Sequence, residues 1–547
     1  MQRPIIRYGA AIYPVVWILT LAFWGCSSDS DSGDAKRLSS APTGAALAGS
    51  GAWDAADMQT AGASTNISFG GAQDIGFMRA QIEAGQVPTM EAMDAAGFFA
   101  EHHVELPPAS CGERVCLQPM VAVMGNLMNG NNCTMLHLGL NSPIAADPGA
   151  RPPLSLSVVV DTSGSMAGDK LAFVKEGLSL LIDGMRDGDE LALVTYDDDA
   201  EVIAEMAEVG DQRVALRRAV NDLGADGSTN LSAGLIAGYE QVQQHFDQER
   251  QNRVILLSDG RPTVGNTATD TILSVSRGFN SEGIGLTTVG LGTDFNPELM
   301  RGLAEQADGN FYFLEDSSAV NEVFTEELSF FVVPVAFDLK LSVAAGPAYE
   351  FGRALGAPLW EDDGLGGFLD IPSVFLAHRE SDKDVTEDDG RRGGGSSLLV
   401  ELMPHEDAEH EAGATIATVE LSYRDPTKEG VQHDTVELAY PHTPSRLLRE
   451  GYFESENIES VQKSFVMLNI FVGIENAVLA FHSGSAGPET VGNLDNLIAA
   501  VEDYNEEQDD RDIELDLELL TQLRENLVQA GVDDDNAPVD DDPWPAD

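Results

Sequence analysis

The sequence predicts an α/β fold: a doubly wound, mostly parallel sheet inserted into or flanked by an antiparallel, β-sandwich-like region, with helical segments at both ends. Three observations carry this. Between 151 and 332, short and almost wholly apolar runs alternate with amphipathic stretches. Such runs are buried on both faces, as strands of a parallel sheet covered by helices are. After Val332 the period drops toward two, the pattern of half-buried antiparallel strands. Near the N-terminal side of this unit, and again from Ile458 onward, apolar residues recur at helical spacing.

A chain of 547 residues has room for about three to four domains. Residues 1–26 form a targeting segment: Arg3 and Arg7 precede an apolar run over 10–24 that is too short for a comfortable membrane span. Residues 27–65, rich in Ser, Gly, Ala and Asp, read as a flexible tether. The accessory region 66–150 shows helical spacing over 77–82 and 90–99. Two strands follow at 117–125 and 134–140, joined around Asn129-Gly130, a hairpin signal.

In the α/β unit, 151–332, strands are expected at 154–160, 191–196, 254–257, 286–291 and 311–314. Helices are expected at 171–185, 213–223, 231–246 and 320–331. The β-rich region 333–450 carries strands at 336–343, 397–402, 416–423 and 435–440, with a long polar loop at 378–396. The helical C-terminal region 451–530 places Val461, Phe465, Leu468, Val472, Glu475 and Leu479 on one mainly apolar stripe, and 491–503 and 513–528 continue the pattern. The end, 531–547, holds seven Asp, three Pro and no basic residue, the composition of a disordered acidic tail.

Lys and Arg number 31 against 91 Asp and Glu, a formal net charge of −60. A phosphate backbone is repelled by such a surface, which excludes nucleic acid as a partner. Anionic lipid is repelled equally, unless a covalent anchor holds the chain there. Divalent cations and basic proteins remain. The bulk of the acidity reads as solubilising charge, suited to salty surroundings.

The targeting run ends at Gly25-Cys26-Ser27. A small residue before a lone Cys at that place resembles the cleavage box of bacterial lipoproteins, although Trp24 stands where a small residue is usual. The resemblance implies lipidation of Cys26 and a lipid-anchored chain in the cell envelope, with Ser27 favouring the outer membrane. Plain secretion or an uncleaved anchor are the alternatives. Cys111, Cys116 and Cys133 remain. In an exported chain they are candidates for a disulfide. Cys111 and Cys116 are spaced to close a small loop, and Cys133 is an equally good partner for either. No second CxxC and no His at metal spacing accompanies them, so they read as structural.

The residues that carry chemistry begin at the end of the first α/β strand, with Asp161-Thr162-Ser163-Gly164-Ser165. Open α/β sheets bind ligands at the carboxyl ends of their strands. One carboxylate and two hydroxyls on a tight turn offer oxygens to a common point, as a hard divalent cation requires. Asp226-Gly227-Ser228-Thr229-Asn230 follows at the start of a helix, and Ser258-Asp259-Gly260 at the end of another strand. These three elements, in this order, resemble the von Willebrand factor type A domain, a Rossmann-like fold, and its metal-ion-dependent adhesion site. The resemblance implies that Ser163, Ser165 and Thr229 give hydroxyl oxygens to Mg²⁺ (or Mn²⁺ or Ca²⁺). Asp161 and Asp259 would act through hydrogen bonds or water, and one position would stay open for a carboxylate of a protein ligand.

Residues 66–106, and the stretches 322–353 and 416–424, resemble the accessory regions of a bacterial lipoprotein family that carries such a domain. Together these imply a non-enzymatic envelope protein acting in adhesion or assembly, switched by movement of the last domain helix, 317–331. A structural scaffold whose metal serves only stability is the alternative, and a hydrolase a weaker one. Neither Ser163 nor Ser165 sits in a G-x-S-x-G elbow, and no His lies near them. His405-Glu406-Asp407-Ala408-Glu409-His410 has one residue too many for a zincin helix. His102-His103 reads as structural or solvated. Asp197-Asp198-Asp199 reads as a polar turn near the metal face, and the Asp runs of the tail lack the Gly and terminal Glu of an EF-hand loop.

Overall fold

The computed structural model describes residues 65–144, 152–292, 294–307, 309–314, 319–320, 323–324, 334–357, 360–362, 364–377, 391–405, 413–439, 452–453 and 458–532. The targeting segment with Cys26, the tether, most of the 378–396 loop, 406–410 and the acidic tail lie outside the described residues.

The first described segment is more than the helical piece expected. It opens with two short strands, β1 (Thr65–Ser68) and β2 (Gly71–Ala72), before helices α1 (Gly76–Glu83) and α2 (Ala95–Ala100). The side chain of Asp94 caps α2, accepting from the Gly97 amide. The expected hairpin follows as β3 (Cys116–Gly125) and β4 (Asn132–Ser142), paired antiparallel from Cys116 opposite Asn141 to Gly125 opposite Asn132. Cys111 and Cys116 are joined as a disulfide, and Cys133 is buried on β4.

The α/β unit contains β5 (Leu154–Asp161), α3 (Asp169–Gly184), β6 (Glu190–Tyr196), β7 (Ala200–Glu208), α4 (Val209–Asp222), α5 (Leu231–Gln244) and β8 (Gln251–Ser258). It continues through α6 (Thr269–Asn280), β9 (Gly285–Leu291), α7 (Pro297–Glu305) and β10 (Asn310–Leu314). All five expected strands are present and parallel to their neighbours in the order β10-β9-β8-β5-β6. Every residue of β5 is buried, which is why its sequence is almost wholly apolar.

Two edge strands escape the apolar-run criterion. β7 pairs antiparallel with β6, and its sequence AEVIAEMAE is mostly exposed. At the other edge β2, from the N-terminal segment, pairs parallel with β10. The sheet therefore has seven strands, one of them lent from outside the α/β unit.

The remaining strands are β11 (Pro334–Ala345), β12 (Tyr349–Leu355), β13 (Glu361–Asp362), β14 (Gly366–Leu376), β15 (Leu398–Pro404), β16 (Thr415–Arg424), β17 (Val431–Ala439) and β18 (Tyr452–Phe453). Together with β1, β3 and β4 they form a separate antiparallel sheet. One half is built on β4, β15 and β12, the other on β14, β11, β16 and β17. β1 joins them, pairing with β4 through Thr65 and Asn66 and with β14 through Ile67 and Ser68. Leu136, Leu138 and Val400 of the first half share one apolar core with Leu341, Leu369 and Val419 of the second. Strands on both sides of the α/β unit in sequence thus contribute to one sheet.

Three helices close the described chain: α8 (Ile458–Ser483), α9 (Pro488–Gln508) and α10 (Arg511–Gln529). Asp510 caps α10, accepting from the Asp512 and Ile513 amides. α8 corrects the expectation of a single apolar stripe. It is long and apolar enough to cross a membrane, but most of that stretch is buried within the fold. The reason is that it is surrounded: Phe465 and Phe471 join a core that also takes in Phe98 of α2, Met120 of β3 and Leu494 of α9. The same core reaches the α/β sheet, where Phe77 of α1 packs edge-on against Phe295 and Phe313, with ring centroids 5.2 and 5.8 Å away.

Candidate functional site

β5 is the point where the α/β sheet changes direction. The chain runs from β5 to β6 and β7 on one side, then crosses to β8, β9 and β10 on the other. A crevice opens at such a reversal, at the carboxyl ends of the strands. Asp161 ends β5, and Ser258 ends β8 directly before Asp259. Two of the three sequence motifs therefore lie at the ends of the two strands that flank the switch point.

Asp161 is fully buried. Its Oδ1 accepts the Ser163 amide at 2.9 Å, and its Oδ2 accepts the Ser258 hydroxyl at 2.9 Å and the Tyr196 hydroxyl at 3.2 Å. Burial holds its carboxyl above the ordinary range, and the charge of Asp259 adds to this, against hydrogen bonds from Ser163 and Ser258. Burial and the charge of Asp161 likewise raise the Tyr196 phenol, which keeps it a donor. Asp161 thus acts as the organiser of the turn that presents Ser163 and Ser165.

Those two hydroxyls stand 3.1 Å apart. Ser165 Oγ donates to Asp259 Oδ1 at 2.8 Å, so the turn after β5 is tied directly to the loop after β8. Thr229 comes from a third loop. Its amide donates to Thr263 Oγ1 at 2.9 Å, and its carbonyl accepts the Thr263 amide at 2.9 Å. That loop is held to the first by the Gly164 amide on the Gly227 carbonyl, 3.2 Å, and the Asp226 amide on the Thr162 carbonyl, 2.8 Å. Asn230 then caps α5, accepting from the Ala233 amide. A methyl group placed on Gly260 would lie 3.7 Å from Thr229 Oγ1 and 3.8 Å from Ser165 Oγ, which shows how closely the three loops meet.

All five residues expected to serve a cation are therefore brought together. Asp161, Ser163, Thr229 and Asp259 are buried, while Ser165 stands at the surface. The donor set is all oxygen, with hydroxyls outnumbering carboxylates. Among the described residues no three His, Cys, Asp or Glu side chains form a metal-binding group. An oxygen set of this kind fits a small hard cation and offers little to a soft one.

Three participants went unmarked in the sequence, and Ser258 was marked only as the neighbour of Asp259 in its motif. Tyr196 and Ser258 hold Asp161, Thr263 holds Thr229, and Lys170 Nζ donates to Asp259 Oδ2 at 2.6 Å. The acidic turn is a neighbour: the Asp197 carbonyl accepts the Asn230 amide at 2.7 Å, and Asp198 Oδ1 accepts the Ser228 amide at 3.2 Å. Of the other candidates, His102 is buried against Asp516, 2.7 Å away, and is structural. His405 is exposed beside Glu350. Of the expected last helix only Ala319, Val320, Val323 and Phe324 are described, all buried.

The sequence model of the von Willebrand factor type A domain matches residues 156–326. The chain carries a von Willebrand factor type A domain. The chain is 32% identical over 200 residues to the uncharacterized protein YfbK of Escherichia coli, a match covering 36% of this chain and 35% of YfbK. It is 29% identical over 182 residues to the uncharacterized protein sll0103 of Synechocystis, covering 33% of this chain and 42% of that one. The chain thus spans well under half the length of these relatives. Among solved structures, a von Willebrand factor type A protein from Catenulispora acidiphila superimposes with a TM-score of 0.44 at 16% identity, over 72% of this chain and 88% of that one.

Proposed function

We propose that this protein is a non-enzymatic, cation-dependent recognition protein of the bacterial cell envelope. Its A domain holds Mg²⁺, or Mn²⁺ or Ca²⁺, through Ser163, Ser165 and Thr229, with Asp161 and Asp259 supporting those hydroxyls by hydrogen bonds. The observation that carries this reading is the convergence of the five side chains at the switch point of the sheet, from three separate loops. The cation supplies an electrophilic centre to which a carboxylate of a protein ligand is drawn. The chain's own part is to fix the three hydroxyls and to keep both carboxylates engaged with protein donors. The role is adhesion or envelope assembly, with the chain anchored through a lipid on Cys26 and resident at the outer membrane. A net charge of −60 leaves no place for nucleic acid in this function.

A second reading has one observation in its favour. Asp259 already has both oxygens engaged by Ser165 and Lys170, so the loops are held together by the chain itself. In that reading the protein is a scaffold and the metal only adds stability.

Two measurements separate these. Calorimetric titration of the full chain with Mg²⁺ should give one equivalent bound, abolished in Asp161→Ala; the absence of any uptake by wild type would sink the cation reading. A pull-down from envelope extract, with Mg²⁺, with EDTA and with the D161A variant, should then retain a partner only with metal and intact Asp161. The same proteins under all three conditions would leave the scaffold.

A further inference from the structure

Lys170 lies in the first turn of α3, nine residues beyond Asp161, in a chain with only seven lysines. Its Nζ donates to Asp259 Oδ2 at 2.6 Å while Ser165 occupies Asp259 Oδ1 at 2.8 Å. Asp259 is fully buried and the Lys170 side chain about three-quarters so. The seat for this side chain is made by Gly292, at the end of β9. There φ is +68°, and a methyl group would come within 2.8 Å of Lys170 Cε and 3.2 Å of Nζ. Only glycine combines that backbone with that space. Two loops and a helix are thus shaped to deliver one ammonium group to one carboxylate at the edge of the proposed cation site.

We infer that Lys170 is a resident counter-charge that keeps Asp259 out of direct coordination and tunes the site for anionic ligands. The inference rests on the cation reading above. A buried carboxylate without a partner would turn to the nearest divalent ion, neutralise part of its charge and tighten its binding. Held by Lys170 and Ser165, Asp259 instead supports the hydroxyl ring from behind. The cation then keeps more of its charge for a carboxylate arriving from outside, at the cost of weaker binding of the cation alone. Lys170 is in this sense a positioning residue: it acts through Asp259 and does not touch the ligand.

The test is titration of the full-length protein with Mn²⁺ or Mg²⁺ alone, followed by calorimetry, for wild type, Lys170→Met and Lys170→Arg. Methionine keeps an unbranched stem over Gly292 and removes the charge. K170M should bind the cation at least about tenfold more tightly than wild type, since a nearby positive charge no longer opposes it. K170R should stay within about threefold of wild type, because its charge is retained. Equal or weaker binding by K170M overturns the inference, for it would make Lys170 a mere support of the loop. A second measurement uses the unaltered protein: the rate of Lys170 acetylation, followed by mass spectrometry, should change less than about twofold on saturation with Mg²⁺ if the ion pair persists. A large increase would mean that the cation displaces Lys170, and would overturn the inference as well. Wild type that binds no cation at all refutes the functional reading itself, an outcome distinct from either of these.

Discussion

One buried ion pair helps to join the A domain to the rest of the chain. Asp74 follows β2, and Arg392 lies in the segment that leads into β15. Both are about 4% exposed, and Arg392 Nε donates to Asp74 Oδ2 at 2.7 Å. Each also grips β10: the Phe313 amide donates to Asp74 Oδ2 at 3.2 Å, and Arg392 Nη2 donates to the Phe313 carbonyl at 2.9 Å. The change Arg392→Met removes the positive charge but leaves apolar volume. Asp74 keeps the Gly76 and Phe313 amides, so it is not abandoned. Breaking a buried pair on one side costs about 3–5 kcal/mol, and those two amides place this case near the lower limit, about 3 kcal/mol. Urea unfolding followed by circular dichroism would give the loss in stability, and hydrogen exchange would show whether β2 and the β10 edge open first. A double-mutant cycle with Asp74→Asn should return a coupling of about 2 kcal/mol. A loss below about 1 kcal/mol for R392M, or single losses that simply add, would refute the idea that this pair staples the two sheets.

Three further outcomes follow from the same geometry. Burial, and then the Asp94 charge, push the Glu305 carboxyl up to about 7 from its ordinary 4.5. A raised folded-state value means that its contribution is most favourable below 4.5 and is lost as pH rises through about 7. Glu305→Gln should therefore stabilise the protein by about 1–3 kcal/mol at pH 8 and leave it unchanged near pH 4, as thermal melts across that range would reveal. Replacing Cys111 and Cys116 by Ser opens a loop of sequence separation 5. The expected loss in urea denaturation is about 2 kcal/mol by loop entropy, and a negligible loss would show that the β3 end is fixed by other contacts. Finally, a methyl group at Gly177 of α3 would lie 2.6 Å from Phe324 Cδ2. Gly177→Ala should cost about 1–2 kcal/mol despite the better helix propensity of alanine, and a gain in melting temperature would mean that Phe324 does not pack there.

What was readable in the sequence, and what was not, follows a physical division. β5, β8 and β9 lie inside the sheet with helices on both sides, so burial forces their composition and they stand out as apolar runs. β7 is an edge strand with alternating, mostly exposed residues, and nothing in AEVIAEMAE separates it from a polar connection. β1 and β2 are four and two residues long. Their membership of two different sheets is decided by pairing with partners hundreds of residues away, such as Leu376 and Asn310. Short strands of this kind have no period to detect. α8 misled for the opposite reason: a helix enclosed on all sides loses the polar face that would have defined its stripe. In the site, the motif residues were readable because the three elements, in their order, resemble a known family pattern. Tyr196 and Thr263 were not, since each is an ordinary strand-end or loop residue until the fold sets its hydroxyl beside a motif atom.

The charge balance gains meaning from where the few basic groups are placed. With 31 of them against 91 acids, most carboxylates must remain at the surface in water. The buried ones have no such recourse, and there the cations gather. Arg391 reaches both Glu101 and Asp516, Lys463 both Asp510 and Asp512, and Arg353 both Glu401 and Glu475. The pattern is one cation shared between two carboxylates, which for Arg391 and Arg353 come from different segments. Burial alone would raise Glu101 and Asp516, but Arg79 and Arg391 hold Glu101, and Arg391 holds Asp516, below the ordinary carboxylate range. Each such centre therefore fixes the relative position of the elements that meet there: α2 with α10, β12 with β15 and α8. Asp259 with Lys170 is a simpler case, one cation on one buried carboxylate. Its neighbours are the hydroxyls of the proposed cation site, so on the inference above the counter-charge that elsewhere secures the fold would here also set how much of a bound ion's charge is left for a ligand.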